Sequence, residues 1–190
     1  MGYFLHKTKN CIKKLLSTAD STQGELEYRL SRGLIIGKNT HIYSVEGIDG
    51  AWPWLIKIGN NVTISSDVTI LAHDASTNVV HCSTKLGRVI IGDNVFIGAR
   101  SVVLCNTKIG DNVIVGAGSV VTCDLPSNAV YAGSPARYIC SIEEYRDKYR
   151  QLRQSRPDFS TIYPWNGWTS ATEEERKAML KGLEDGIGFV

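Results

Sequence analysis

Between Arg88 and Val121 the aliphatic residues Ile91, Ile97, Val103, Ile109, Val115 and Val121 fall at every sixth position, and glycine follows four of them at Gly92, Gly98, Gly110 and Gly116. A period of six fits neither the 3.6 of an amphipathic helix nor the alternation of a flat strand, so it marks a repeat. Carried towards the N-terminus, the same phase meets Ile36, Ile42 and Ile48. It resumes after a jump of ten residues at Ile58, Ile64 and Ile70. Each hexad predicts a short strand and a turn, with the aliphatic side chain pointing inward. The pairs Lys38-Asn39, Asn60-Asn61, Asp93-Asn94 and Asp111-Asn112 stand at the corners, where a residue tolerant of positive φ is needed. Three hexads close a triangular coil, and successive coils stack at roughly 4.8 Å. An irregular sandwich would not keep the phase. The pattern therefore predicts an all-β solenoid, a parallel β-helix of about four coils over residues 34–140.

Two stretches interrupt the count and then restore it. They lie near 49–55, around Trp52-Pro53-Trp54, and near 71–88, opening on His73-Asp74. Such interruptions form loops that leave the solenoid, often on its binding face. Residues 1–33 read as an amphipathic helix, with Phe4, Leu5, Ile12, Leu15 and Leu16 interleaved by lysines, followed by a linker. Residues 141–190 read as a helical extension. Ser141 with Glu144 and Thr172 with Glu175 each form a capping-box pattern. A helix of this kind suits the covering of a solenoid's open end.

Composition narrows the class. The chain has 190 residues, 43% of them hydrophobic, and a formal net charge of +2, which is too near neutrality to indicate nucleic acid. No apolar run approaches the length of a membrane span. The basic N-terminal helix suits an anionic membrane surface, but packing on its own β-helix or on a neighbouring subunit is the preferred reading. Five cysteines without a CxxC pair argue against a disulfide framework and a zinc knuckle and point to a reducing cytoplasm.

Over roughly Gly33 to Ile142 the repeats resemble the left-handed β-helix acyltransferases with hexapeptide repeats. The left hand, acetyl-CoA as acyl donor and a homotrimer are what that resemblance implies, and the spacing of His41, His73 and His81 does not fit a zinc site, so no metal is expected. Acyl transfer needs a base for the acceptor's proton and dipoles for the oxyanion. Of the four histidines, His6 and His41 sit in regular elements, while His73 stands at the mouth of the long insertion. Val68-Thr69-Ile70-Leu71-Ala72-His73-Asp74 is similar to the segment that carries the catalytic histidine in sugar O-acetyltransferases of surface-polysaccharide synthesis. His73 is the expected base and His81 the fallback. Asp74 is expected either to orient the imidazole or to contact the acceptor.

The resemblance also matches Ala99, Ala117, Thr122 and Arg137 to coenzyme-contacting positions, with the Ala99 backbone N–H as a candidate oxyanion donor. Gly98 and Gly116, like Ala99 and Ala117, differ by one coil and should stack as a shallow groove. Trp52 and Trp54 are candidates for a sugar platform, against the simpler reading that they anchor their loop. The expected activity is acetyl-CoA-dependent O-acetylation of a saccharide. N-acetylation of an amino sugar or nucleotide sugar is the alternative, and a β-helical zinc carbonic anhydrase or a non-catalytic scaffold comes from another class.

Overall fold

The computed structural model describes residues 23–81, 83–160 and 172–190. The expected helix from Phe4 to Leu16, with His6 and Cys11, lies outside them, as do Cys82 and the aromatic stretch from Tyr163 to Trp168. The chain divides into two compact units, Met1–Ile142 and Glu143–Val190.

Among the described residues, the first unit begins with a helix over 23–31, here α1, in a stretch that the sequence reads as a linker. Its only inward positions are Leu26, packed against the core, and Arg29, which is too sparse a pattern to announce a helix. The repeat begins with β1 (Ile35–Ile36) and β2 (His41–Ile42) and continues through β3 (Ile56–Ile58), β4 (Thr63–Ile64) and β5 (Thr69–Ile70). An excursion then carries β6 (His73–Asp74) and β7 (Lys85–Leu86). The next turns are β8 (Val89–Ile91), β9 (Phe96–Ile97) and β10 (Val102–Val103), then β11 (Thr107–Ile109), β12 (Val113–Val115) and β13 (Val120–Val121). The unit closes on β14 (Ala129–Ala132) and β15 (Arg137–Ser141).

Each repeat strand pairs in parallel with the strand one turn away, giving three sheets in the orders β1-β3-β8-β11, β2-β4-β9-β12-β14 and β5-β10-β13. Antiparallel β15 covers the outer edge of β14. The single bridge Ile48↔Ile70 extends the third row by one turn.

The hexad residues form the core. Ile58, Ile64, Ile70, Ile91, Ile97, Val103, Ile109, Val115 and Val121 are each at most 1% exposed. Removing that apolar surface from water is the main driving force for the stack. The rows run on past Val121, where the periodic reading stopped: Leu125 bridges Ile109, and Tyr131 pairs with Val115. The step from Ile109 to Leu125 is two residues short of a full coil, which breaks the phase in sequence but not in space.

The corners behave as the Asn pairs predicted. Asn39, Asn61, Asn94 and Asn112 have φ of 53°, 54°, 56° and 55°, and Asn128 continues the column at 64°. Their side chains form one ladder. The amide of Asn39 donates to Oδ1 of Asn61 at 3.2 Å, Asn61 to Asn94 at 3.0 Å, Asn94 to Asn112 at 3.1 Å and Asn112 to Asn128 at 2.8 Å. Close stacking also fixes Gly98, where a Cβ would stand 2.4 Å from the backbone nitrogen of Ala117.

The second unit holds α2 (Ile142–Ser155) and α3 (Glu173–Gly182). The capping box expected at Thr172 is formed: Thr172 Oγ1 accepts from the Glu175 N–H at 3.2 Å, and the Glu175 carboxylate accepts from the Thr172 N–H at 2.8 Å. Phe159 is buried against Pro157 and Gly182 territory, and its N–H donates to the Phe189 carbonyl at 2.7 Å. No helix among the described residues is long and apolar enough to cross a membrane.

Candidate active site

The two interruptions of the hexad count meet at one side-chain contact. Ile48 and Ile70 are bridged in adjacent turns, and the Asp49 N–H donates to the Ile70 carbonyl at 2.9 Å. Asp49 therefore lies beside the residues that lead into the long excursion. Its Oδ2 takes the Ala72 N–H at 2.9 Å and contacts Nδ1 of His73. Its Oδ1 takes the N–H groups of Ala51 at 2.9 Å and Trp52 at 3.3 Å. The Asp49 side chain is 1% exposed and that of His73 34%.

Burial pushes the Asp49 carboxyl up, but the bonds from His73 and from the backbone of Ala51, Ala72 and Trp52 outweigh it and hold it below its ordinary value. Asp49 is thus a carboxylate, which can only accept, so Nδ1 of the imidazole is the donor in their contact. Nε2 is left as the basic nitrogen. The Trp52 ring leans on the imidazole, with centroids 4.6 Å apart and planes at 53°. In the sequence, Asp49 shows only as the first residue of an insertion. The signal that could have found it is the coil phase, which puts the residue after Ile48 next to the residue after Ile70.

His73 lines a cavity of about 520 Å³ together with Leu71, Asp74, Lys85, Cys105 and Thr122. One wall is a small hairpin in which β6 and β7 pair antiparallel, with His73 opposite Leu86 and Asp74 opposite Lys85. The structure does not place Asp74 on the imidazole. Its carboxylate pairs with Lys85 Nζ at 2.6 Å and takes the Ser76 N–H at 2.8 Å. Lys85 first, and Ser76 with it, hold the Asp74 carboxyl far below its ordinary value. Both groups of this ion pair are more than a third exposed, so it adds little to stability.

The remaining sequence candidates lie elsewhere. Thr122 shares the cavity with His73, but Ala99 and Ala117 lie at the opposite edge of the third sheet, one above the other, with the Gly118 N–H donating to the Ala99 carbonyl at 2.8 Å. The six residues from Ala99 to Leu104 lead across that sheet through β10. Arg137 is exposed at the start of β15, with Nη1 donating to the Ala136 carbonyl at 3.1 Å. Trp52 is half-buried against the core, whereas Trp54 is 48% exposed with the Arg32 guanidinium 5.3 Å from its ring centre. His81 is exposed with a φ of 59°, capping a short 3-10 turn, and His41 lies on β2. No group of three or more His, Cys, Asp or Glu among the described residues could hold a metal ion.

Residues 88–123, the unbroken run of hexads, match the family described as bacterial transferase hexapeptide (six repeats). Over 121 residues, 61% of this chain and 70% of the relative, the sequence is 43% identical to "Protein CapG" of Staphylococcus aureus. Over 124 residues, 65% of this chain and 70% of the relative, it is 36% identical to "Putative acetyltransferase YvoF" of Bacillus subtilis (strain 168). A solved hexapeptide-repeat-containing acetyltransferase of Vibrio cholerae superposes with a TM-score of 0.53 over 69% of this chain and 92% of that one, at 20% identity, which bears on the fold alone. The hexapeptide repeat together with the parallel sheets makes the solenoid a left-handed β-helix.

Proposed function

This chain belongs to the hexapeptide-repeat acetyltransferases, and we propose that it transfers an acetyl group from acetyl-CoA to a hydroxyl of a saccharide, with His73 as general base. The observation that carries this reading is the Asp49–His73 contact at the wall of the cavity. In the reaction, Nε2 of His73 takes the proton as the hydroxyl attacks the thioester carbonyl. Asp49 stabilises the imidazolium so formed without itself being protonated, as its lowered carboxyl pKa requires. The tetrahedral intermediate collapses with the coenzyme sulfur as leaving group, and the imidazolium returns the proton to that sulfur.

The donor reaches His73 across a subunit boundary. On one chain the stacked Ala99 and Ala117 and the His73 cavity occupy opposite edges of the third sheet, so a complete site takes one edge from each of two copies. With it goes the homotrimer that the family resemblance implies, with three such sites, in which Ala99 and Ala117 admit the pantetheine arm, the Ala99 N–H faces the oxyanion and Arg137 meets the coenzyme phosphates. Thr122 stands on the His73 side of that boundary. Asp74, paired with Lys85, is assigned to acceptor binding rather than to the imidazole. Trp52 supports His73, and Trp54 has no part in the site. A cytoplasmic location agrees with the donor and with the free thiols of Cys105, Cys123 and Cys140.

The test is thiol release from acetyl-CoA by the purified protein with a panel of mono- and oligosaccharides. Saccharide-dependent release that disappears in His73→Ala is expected. Release with amino sugars alone would replace the hydroxyl acceptor by an amine.

A further inference from the structure

Arg29 is an anomaly on α1. Its neighbours Tyr28 and Leu30 are exposed, yet its own guanidinium is buried, with 6% of the residue accessible. Nε donates to the Ile48 carbonyl at 2.8 Å, and Nη1 donates to the Glu25 carbonyl oxygen at 3.0 Å and pairs with the Glu25 carboxylate. A Cβ built on Gly50 would stand 3.5 Å from Nη2, so the guanidinium runs alongside the turn 48–50. Asp49 is the middle residue of that turn. A buried guanidinium gains little net stability over an apolar side chain of the same volume. What its rigid planar fork supplies is geometry, here a fixed carbonyl immediately before the carboxylate that holds His73.

We propose that Arg29 is a positioning residue for the reaction: from α1 it clamps the turn 48–50 and so presses the Asp49 carboxylate onto Nδ1 of His73. The inference rests on the reading of His73 as the base. The groups facing the imidazole are Asp49 from this turn, the Trp52 ring from the first insertion, Asp74 and Lys85 from the hairpin, and Cys105 from the segment after β10. Of these, Asp49 is the one that directly follows the Ile48 carbonyl held by Arg29. Loosening the turn weakens the carboxylate's hold on the imidazolium that forms in the proposed reaction.

The experiment uses the full chain and compares Arg29→Met, which keeps the stem and loses the fork, with Arg29→Lys, Asp49→Asn and the double variant Arg29→Met/Asp49→Asn. His73 is titrated by NMR, and kcat, KM for acetyl-CoA and melting temperature are measured. The expected result in Arg29→Met is a His73 titration moved to lower pH and a kcat lowered by about 10- to 100-fold, as misplacement of a reacting group costs, with KM for acetyl-CoA unchanged. Arg29→Lys should fall between Arg29→Met and the parent, and Arg29→Met should add nothing once Asp49 is Asn. A lowered melting temperature with kcat and the His73 titration unmoved, or an equal loss in the Asp49→Asn background, overturns the proposal. If Arg29→Met does not fold, Arg29→Lys carries the same test, and an unmoved titration in it has the same force. The titration needs no turnover, so a chain inactive on every acceptor would sink the proposed function while the role of Arg29 is still decided.

Discussion

At the scale of single residues the proposed reaction rests on one nitrogen, Nε2 of His73. His73→Ala should lower turnover by about 100-fold or more, since a general base contributes on the order of 10²–10⁴-fold, while acetyl-CoA binding measured by calorimetry survives. His81→Ala should be mild, because that side chain is exposed beyond the cavity wall. Asp49 adds a dependence on pH. Its folded pKa lies below the ordinary 3.8, so the stability it contributes is present above the unfolded value and is lost as pH falls through the folded one. Denaturant unfolding of Asp49→Asn should therefore show a flatter loss of stability below about pH 4 than the parent. An acid limb as steep as the parent's would mean that the carboxylate is not held as described. His73 was legible because its sequence context resembles a known segment. Asp49 was not, because it sits in an Asp-Gly pair that reads as a turn and meets its partner only when two turns stack.

At the scale of elements, what decides legibility is whether the determinant is local. The hexads were legible because each inward position is set by a corner a few residues away, and the Thr172 capping box because its two partners are three residues apart. The helix at 23–31 was not, since Leu26 and Arg29 face inward only because a solenoid is there to receive them. The shortened step to Leu125 hid the continuing rows for the same reason. The corner ladder gives a measurable consequence. Asn94→Ala removes both ladder bonds and leaves a Cβ residue at a φ of 56°, so a loss of about 1–3 kcal/mol in thermal unfolding is expected. Asn94→Gly should lose less, because it accepts that backbone freely. Equal losses would place the cost in the side-chain bonds. The two tryptophans should separate as well: Trp52→Ala, half-buried between the core and the imidazole, is expected to cost about 2–3 kcal/mol and to lower kcat, while Trp54→Ala should stay within about 1 kcal/mol with unchanged kinetics.

At the scale of the whole molecule, the proposed division of the site between two edges of one sheet predicts complementation. His73→Ala and Ala117→Trp should each be inactive alone, the second because the indole fills the proposed groove. Unfolded together and refolded as mixed trimers, they should regain part of the activity, since some sites then combine an intact His73 edge with an intact Ala117 edge. No recovery, in mixtures that sedimentation confirms as mixed trimers, would place the whole site on one chain.

The row order has a further consequence for how the protein fails. β1 and β2 are the outermost strands of their sheets, and Ile48 touches the third through a single bridge, so Asp49 belongs to the terminal turn and His73 to the turn next to it. In a stacked array each turn is held only by its neighbours, and opening begins at the ends. The dyad therefore inherits the durability of the last rung rather than that of the stack. On slow heating, activity should fade before the melt, and amide exchange at Asp49 should outpace that at Val103 in the middle of the same row.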